Sequence, residues 1–382
     1  MEHYKIRPTQ PEDIGTVLAM YDHSRSLMRA AGNTVQWDGY PTADDVQADI
    51  AAGTSRLVLS DGSPVGTFAL VSGIEPTYTF IDHGRWIDTA TPYVTIHRVA
   101  KSPEGHGIAH LAFQMAKQQF THLRADTYRD NHLMLHLLSK EDFVECGTIY
   151  MDDGSPRQAF EWWRWDEVET SLQRFVSEDI LPRYDHFDAA HRRNHALRVI
   201  ARAMVLFRHL RAEISAPTVP AASLIPEMIY TAAAMHDLGL CAGRERHHLV
   251  SGVLIRTCKP LHHWFDDKQI EAIAQAAEDH RASASSPPRS WIGRLIAEAD
   301  RDIEPETIVR RTVEYGLSHY PELNREGHWQ RTLQHLHEKY AEGGYIKLWL
   351  NNSPNEQPLA ELRDLINNEP RLRQVFEKYF KP

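Results

Sequence analysis

The sequence predicts two folds in one chain: an α+β domain, a mixed sheet flanked by helices, over about residues 1–165, then an all-α domain over residues 166–310 with a helical extension over 311–382. Three observations predict this. β-rich and helical runs alternate from Tyr4 to Trp163, whereas beyond Trp165 apolar residues recur at helical spacing with no convincing strand. A turn containing Gly105-His106-Gly107 follows one of the strands and opens a helix. A series of His and Asp residues, from His195 to Asp300, falls in or beside the helices of the second half.

Composition narrows the function. With 42% hydrophobic and 25% charged residues the chain is ordinary globular protein, long enough at 382 residues for two or three cores. The formal net charge of −10 argues against general binding to nucleic acid or to an anionic membrane, yet leaves room for a local phosphate pocket. Cys146, Cys241 and Cys258 have no paired spacing, so neither a disulfide framework nor a cysteine zinc site is indicated. No apolar signal core follows Met1, and no run approaches the roughly 18 apolar residues of a membrane span, so a cytoplasmic protein is expected, with an oligomer left open.

Taken in order, Tyr4-Lys5-Ile6-Arg7-Pro8 reads as a short strand closed by proline, and Pro11-Glu12-Asp13-Ile14 starts an amphipathic helix with Ile14, Val17, Leu18 and Tyr21 on one face. A second helix is expected around Ala43 to Ala52. The runs Arg56–Ser60 and Val65–Val71, joined across Asp61-Gly62, read as a hairpin. A strand from Tyr93 to Ala100 leads into Ser102–Ala109 and a helix from His110 to His122. Strand, glycine-rich turn and helix together present free amides at a helix start, where a phosphate can be held.

This order, followed by Leu123–Thr127, Asp130-Asn131, Met134 and Phe143 with Cys146-Gly147, resembles the GNAT acyl-CoA N-acetyltransferases over about residues 3–163. The resemblance implies acetyl-CoA as cofactor and a small-molecule acyl acceptor. It places the pyrophosphate on the turn Glu104, Gly105, His106, Gly107, Ile108 and Ala109, the pantetheine arm along Val99 to Lys101, and a cofactor contact at Asn131. The tyrosine that many GNAT enzymes use as general acid is matched by Leu138, and a family glycine by Asp142, so a domain that binds acetyl-CoA as a sensor stays open beside an acetyltransferase. His97, Tyr128 and Tyr150 could donate a proton in its place.

The boundary falls near Trp162-Trp163-Arg164-Trp165. Helical patterns then cover Asp166–Ile180, Ala189–Leu210, Ile225–Asp237, His247–Cys258, Asp267–His280, Trp291–Arg301 and a tail after Pro305. Within them, His236-Asp237 sits in a small, apolar run, Thr231 to Leu240. An ionised Asp in such surroundings is costly unless neutralised, and a divalent cation does that best.

The order His195, His236-Asp237, His247-His248, His280, Asp300 resembles the HD superfamily of metal-dependent phosphohydrolases. By that resemblance His195, His236, Asp237 and Asp300 hold one divalent ion, Asp237 bridges to a second, and His280 with His247 or His248 completes a binuclear set of Mn, Fe, Co or Mg. Asp237 thus belongs to both the metal and the catalytic residues. Arg281 is expected to meet phosphoryl oxygens through its guanidinium fork. His191, four residues before His195 and expected on the same helical face, could orient substrate or act as an acid. A phosphorylated metabolite or nucleotide is the expected substrate, and di-iron oxygenase chemistry is the alternative the same ligands allow.

Overall fold

The computed structural model describes residues 4–212, 225–283, 286–351 and 353–382. The chain divides into two compact units, Met1–Asp166 and Glu167–Pro382.

In the first unit, β1 (Tyr4–Pro8), β2 (Ser55–Ser60), β3 (Ser63–Ser72), β4 (Val94–Lys101), β5 (His122–Thr127), β6 (Val144–Tyr150) and β7 (Pro156–Trp163) form one sheet in the order β1-β2-β3-β4-β5-β7-β6. Neighbours are antiparallel except β4 and β5, which run parallel. The β2–β3 hairpin turns on Asp61 and Gly62, with φ of 48° and 84°, a left-handed pair that suits these two residue types. Helices α1 (Ile14–Ala30), α2 (Ala43–Ala51), α3 (Ile108–Gln119) and α4 (His132–Lys140) cover the sheet. Leu57 and Val58 are adjacent on β2 and therefore point to opposite faces. Leu57 packs with Val17, Met20 and Tyr21 of α1, while Val58 joins Phe68, Ile96, Phe113 of α3 and Leu138 of α4. Thr42 caps α2 in a capping box with Asp45.

One boundary departs from expectation. Helix α3 stops at Gln119, and His122 opens β5 instead of closing the helix. Phe120 turns extended, at φ −124° and ψ 153°, and packs on the Phe113 core, which directs the chain into the strand.

The second unit is helical throughout its described residues. After α5 (Thr170–Phe175) come a π-helical turn, Val176–Ile180, and a 3-10 turn, Leu181–His186. Then follow α6 (Arg193–Ala212), α7 (Pro226–Met235), α8 (His247–Arg256), α9 (Asp267–Asp279) and α10 (Trp291–Ala299). Every residue of α7 from Met228 to Met235 is buried, and its run of alanines lets neighbouring helices approach closely. The expected single helix from Ala189 breaks at Arg192, whose extended backbone (φ −72°, ψ 174°) separates the 3-10 turn Ala189–His191 from α6. His191 is therefore not on the helix of His195. The tail forms α11 (Pro305–His319), α12 (Arg325–Tyr340), α13 (Glu356–Asn367) and α14 (Glu369–Tyr379) around a core of Val309, Trp329, Leu336, Leu362 and Phe376.

Candidate functional site

Helices α7, α9 and α10 each end one residue before a predicted ligand: His236, His280 and Asp300 are their C-caps. The negative ends of three helix dipoles thus converge with two carboxylates, a setting that favours a cation. His195 enters from the first turn of α6 and His247 from the first residue of α8.

The ligand atoms form two groups sharing Asp237. His195 Nε2 lies 3.3 Å from His236 Nε2, 3.4 Å from Asp237 Oδ2 and 3.3 Å from Asp300 Oδ1. His236 Nε2 is 3.4 Å from Asp237 Oδ2 and 3.7 Å from Asp300 Oδ1. On the other side, Asp237 Oδ1 is 3.4 Å from His247 Nε2 and 3.3 Å from His280 Nε2, which are 3.2 Å apart. With metal–ligand bonds of about 2.0–2.2 Å, donor atoms around one ion stand about 3.0 to 3.5 Å from each other, so both groups have the spacing of a coordination shell.

The outer nitrogens sharpen this. His236 Nδ1 lies 2.7 Å from the Ala233 carbonyl, His280 Nδ1 2.5 Å from that of Ala277, and His247 Nδ1 2.7 Å from that of Arg244. A carbonyl only accepts, so each Nδ1 carries a proton, and each ring, when neutral, turns its Nε2 lone pair inward. His247 and His280 then oppose two lone pairs at 3.2 Å, an arrangement that needs a cation or an extra proton between them. Without metal, protons supply part of that charge. Burial opposes protonation of His236, but Asp237 and Asp300 push it up to about 10, and the same carboxylates raise His195 against its burial. Burial would likewise raise Asp237 and Asp300, yet the imidazoles hold both well below the usual carboxylate range. Burial lowers His247.

Two residues that sequence reasoning passed over position the centre. The fully buried Tyr184 donates to the Ala234 carbonyl at 2.9 Å and accepts from the Asp237 amide at 3.4 Å, holding the α7 terminus. Gly239 donates to Ser251 Oγ at 2.9 Å, and a Cβ there would lie 2.0 Å from the His247 carbonyl oxygen. Only glycine lets α8 come close enough to bring His247 to Asp237.

His248 is not brought to the cluster: its Nδ1 is buried with no partner among the described residues, and burial with the neighbouring His247 and Arg281 charges lowers it to about 4. His191 stands at the rim, its ring 5.6 Å from that of His195 and its Nδ1 2.9 Å from Asp188 Oδ1. Arg281 donates through Nη1 to the Glu245 carbonyl at 2.9 Å. Arg289 and Arg301 are committed elsewhere, the first to Glu278 and Asp279, the second to the Ala297 carbonyl. The loop before Arg289 includes Ala284 and Ser285, which lie outside the described residues.

In the first unit, β4 and β5 pair only at Val94↔Leu123 and Thr95↔Arg124. Beyond Thr95 the strands part, and the β4 register slips where Arg98 takes a φ of 52°. Val99 and Lys101 therefore lie on the length of β4 that has lost β5. The turn after β4 continues at Glu104, Gly105 and His106. A Cβ on Gly105 would meet the Val65 carbonyl at 2.2 Å, so this glycine serves packing. Gly107, at φ 63°, has nothing within 4 Å of a Cβ position and caps α3 without a side chain. The first turn of α3, at Ile108 and Ala109, thus begins beside open space. Asn131 instead caps α4, accepting from the Met134 amide at 3.2 Å and donating to Gln36 Oε1 at 3.0 Å. Leu138 is buried in the core, and Asp142 holds a φ of 59° where the resemblance implies glycine.

No protein-family model and no curated protein matches this chain. Solved structures resemble its N-terminal part. A GNAT-family acetyltransferase from Streptococcus agalactiae is 29% identical, in a match covering 43% of this chain and 96% of the other, with a TM-score of 0.40. One from Listeria monocytogenes is 17% identical, covering 42% and 95%, with a TM-score of 0.34. An Arabidopsis thaliana protein in complex with the bisubstrate analogue CoA-Ac-MVNAL is 13% identical, covering 42% and 99%, with a TM-score of 0.30. Among the described residues no helix is long and apolar enough to cross a membrane.

Proposed function

We propose that the helical unit is a metal-dependent phosphohydrolase of HD type, and that the first unit is a GNAT-type N-acetyltransferase that takes acetyl-CoA. The observation that carries the first reading is the pair of donor groups sharing Asp237, with inward Nε2 lone pairs facing each other. His195, His236, Asp237 and Asp300 would hold one divalent ion, and Asp237, His247 and His280 a second. Imidazole-rich donors favour Mn, Fe or Co over Mg. Such ions supply Lewis acidity and a readily ionised water for attack on phosphorus. Around them, Arg281 keeps guanidinium donors beyond the one spent on Glu245 for phosphoryl oxygens, and His191, oriented by Asp188, stands where it can give a proton to a leaving group.

The second reading rests on the parted β4 and β5, which leave an extended edge at Val99 to Lys101, ending in the open Gly107 turn. An extended pantetheine arm fits such an edge, and a pyrophosphate fits the amides at the start of α3. The burial of Leu138, which removes the usual acid, favours one competing role, acetyl-CoA sensing.

Metal-free protein reloaded in turn with Mn²⁺, Mg²⁺, Co²⁺ and Fe²⁺ and offered a panel of phosphorylated metabolites should release phosphate with at least one transition metal. Two irons per chain with O₂ consumption and no phosphate release would replace hydrolysis by oxygenase chemistry. Calorimetry with acetyl-CoA separates the roles of the first unit. Binding followed by consumption in the presence of amines means transfer, whereas binding without consumption that alters phosphate release means sensing.

A further inference from the structure

Where β4 leaves β5, one face of the sheet carries a set of groups that neither cofactor binding nor the metal centre uses. The register Thr95↔Arg124 carries on, two residues later, to His97 on β4 and Asp126 on β5, which share that face after the strands have parted. Both are engaged from the segment between β3 and β4. His97 Nε2 lies 3.2 Å from Glu75 Oε2, and the Tyr78 hydroxyl donates to Asp126 Oδ1 at 2.7 Å. Glu75 is fixed in turn: Thr77 Oγ1 donates to its other oxygen at 3.1 Å, and its amide donates to the Tyr93 hydroxyl at 3.0 Å.

The tautomer follows from the partner. The hydrogen bond from His97 holds the Glu75 carboxyl below its usual range despite partial burial, so it is an acceptor only. Nε2 must then carry the proton, and Nδ1 is left with a lone pair and no partner among the described residues. The neighbouring cation, Arg98, does not compete, because it is bound to both oxygens of Asp49 at 2.7 and 2.6 Å. A half-buried imidazole whose far nitrogen is tied to a carboxylate is the arrangement of a proton acceptor.

The surroundings specify what could deliver the proton. Thr77, which bonds Glu75, also lines a groove of about 240 Å³ with Phe80, Tyr150 and Asp152. Asp82 accepts from the Tyr150 hydroxyl at 3.3 Å at the same rim. Aromatic walls and carboxylates favour a cation carried on an apolar or aromatic body.

We propose that His97, oriented by Glu75, accepts the proton of a primary ammonium substrate for acetylation, an inference that rests on the acetyltransferase reading of this unit. The ammonium gives one proton to His97 Nδ1. Its freed nitrogen bonds to the thioester carbonyl carbon as the carbon–sulfur bond breaks, and its second proton leaves with the coenzyme A thiolate as the thiol. His97 then returns its proton to water. Among the described residues, Glu75 bonds the imidazole and the Tyr78 ring stands 6.4 Å from it.

The test uses the full chain, acetyl-CoA at saturation, and tyramine and spermidine as probes, with thiol release as readout. Wild-type protein should acetylate at least one probe. His97→Gln should lose about 100-fold or more in kcat, with the KM for acetyl-CoA and the melting temperature unchanged. Added imidazole should restore part of the rate to His97→Gly, which a structural role would not do. Glu75→Gln should lower kcat by less. A His97→Gln rate within about threefold of wild type overturns the proposal. So does wild-type protein that binds acetyl-CoA yet acetylates neither probe. Absence of acetyl-CoA binding sinks the acetyl-transfer reading itself.

Discussion

Replacing Gly239 by Ala adds one methyl group and tests how the second half of the metal centre is assembled. The new Cβ would stand 2.0 Å from the His247 carbonyl oxygen, 2.5 Å from the Ser251 amide nitrogen and 2.9 Å from the His247 carbonyl carbon, all backbone atoms that no side-chain rotation can move. Ordinary contact needs about 3.4 Å or more, so the start of α8 must retreat by roughly 1.4 Å. The overpacking costs about 1–3 kcal/mol, and losing the Gly239–Ser251 hydrogen bond adds about 1 kcal/mol. For a unit of this size that is a fall of about 5–15 °C in melting temperature. Metal affinity should suffer more selectively. Ligand distances tolerate only about ±0.2 Å, so His247 leaves the second ion while His195, His236 and Asp300 stay in place. Calorimetric melting and metal analysis of the variant would check both effects. Two tightly held ions and a melting temperature within about 2 °C of wild type would refute the reasoning.

Three further outcomes are expected. Gly107→Trp should weaken acetyl-CoA binding by calorimetry without altering metal content, because it fills the open turn before α3; unchanged affinity in a folded variant would count against that turn. Without metal, His236, pushed up to about 10, holds a proton at neutral pH that an incoming ion must displace, and the same carboxylates raise His195. The affinity of that ion should therefore fall with falling pH by about tenfold per unit for each proton displaced. Chelator competition between about pH 6 and 8 reads it, and a flat profile would contradict it. Arg281→Ala should keep both ions and mainly raise the KM for the phosphorylated substrate, whereas loss of an ion would assign Arg281 to the centre's structure.

The ligand types were legible because the chemistry restricts them. The His236-Asp237 pair could be singled out without any geometry, since a His-Asp pair in an alanine-rich run demands a partner charge, whereas His195, His280 and Asp300 followed only from the resemblance to HD phosphohydrolases. The choice between His247 and His248 was not. Adjacent helical residues point about 100° apart, and which one faces Asp237 depends on the seat of α8 against Gly239, a contact between distant segments. Asn131, expected at a cofactor contact, also caps α4 and bonds Gln36, a local use open to any Asn at a helix start. The helix break at Arg192 was equally hidden, since the apolar periodicity passes through it. Glu75, Tyr78 and Asp126 carried no signal at all. The segment between β3 and β4 has no periodicity, and its meeting with His97 exists only once β4 and β5 have parted.

In the proposed centre Asp237 would join two ions in one chain. Metal analysis of protein saturated with Mn²⁺ or with anaerobic Fe²⁺, repeated on His280→Ala, measures it directly. Two ions per chain are expected in the wild type and one in the variant. No more than one ion per chain in the saturated wild type would contradict the binuclear centre.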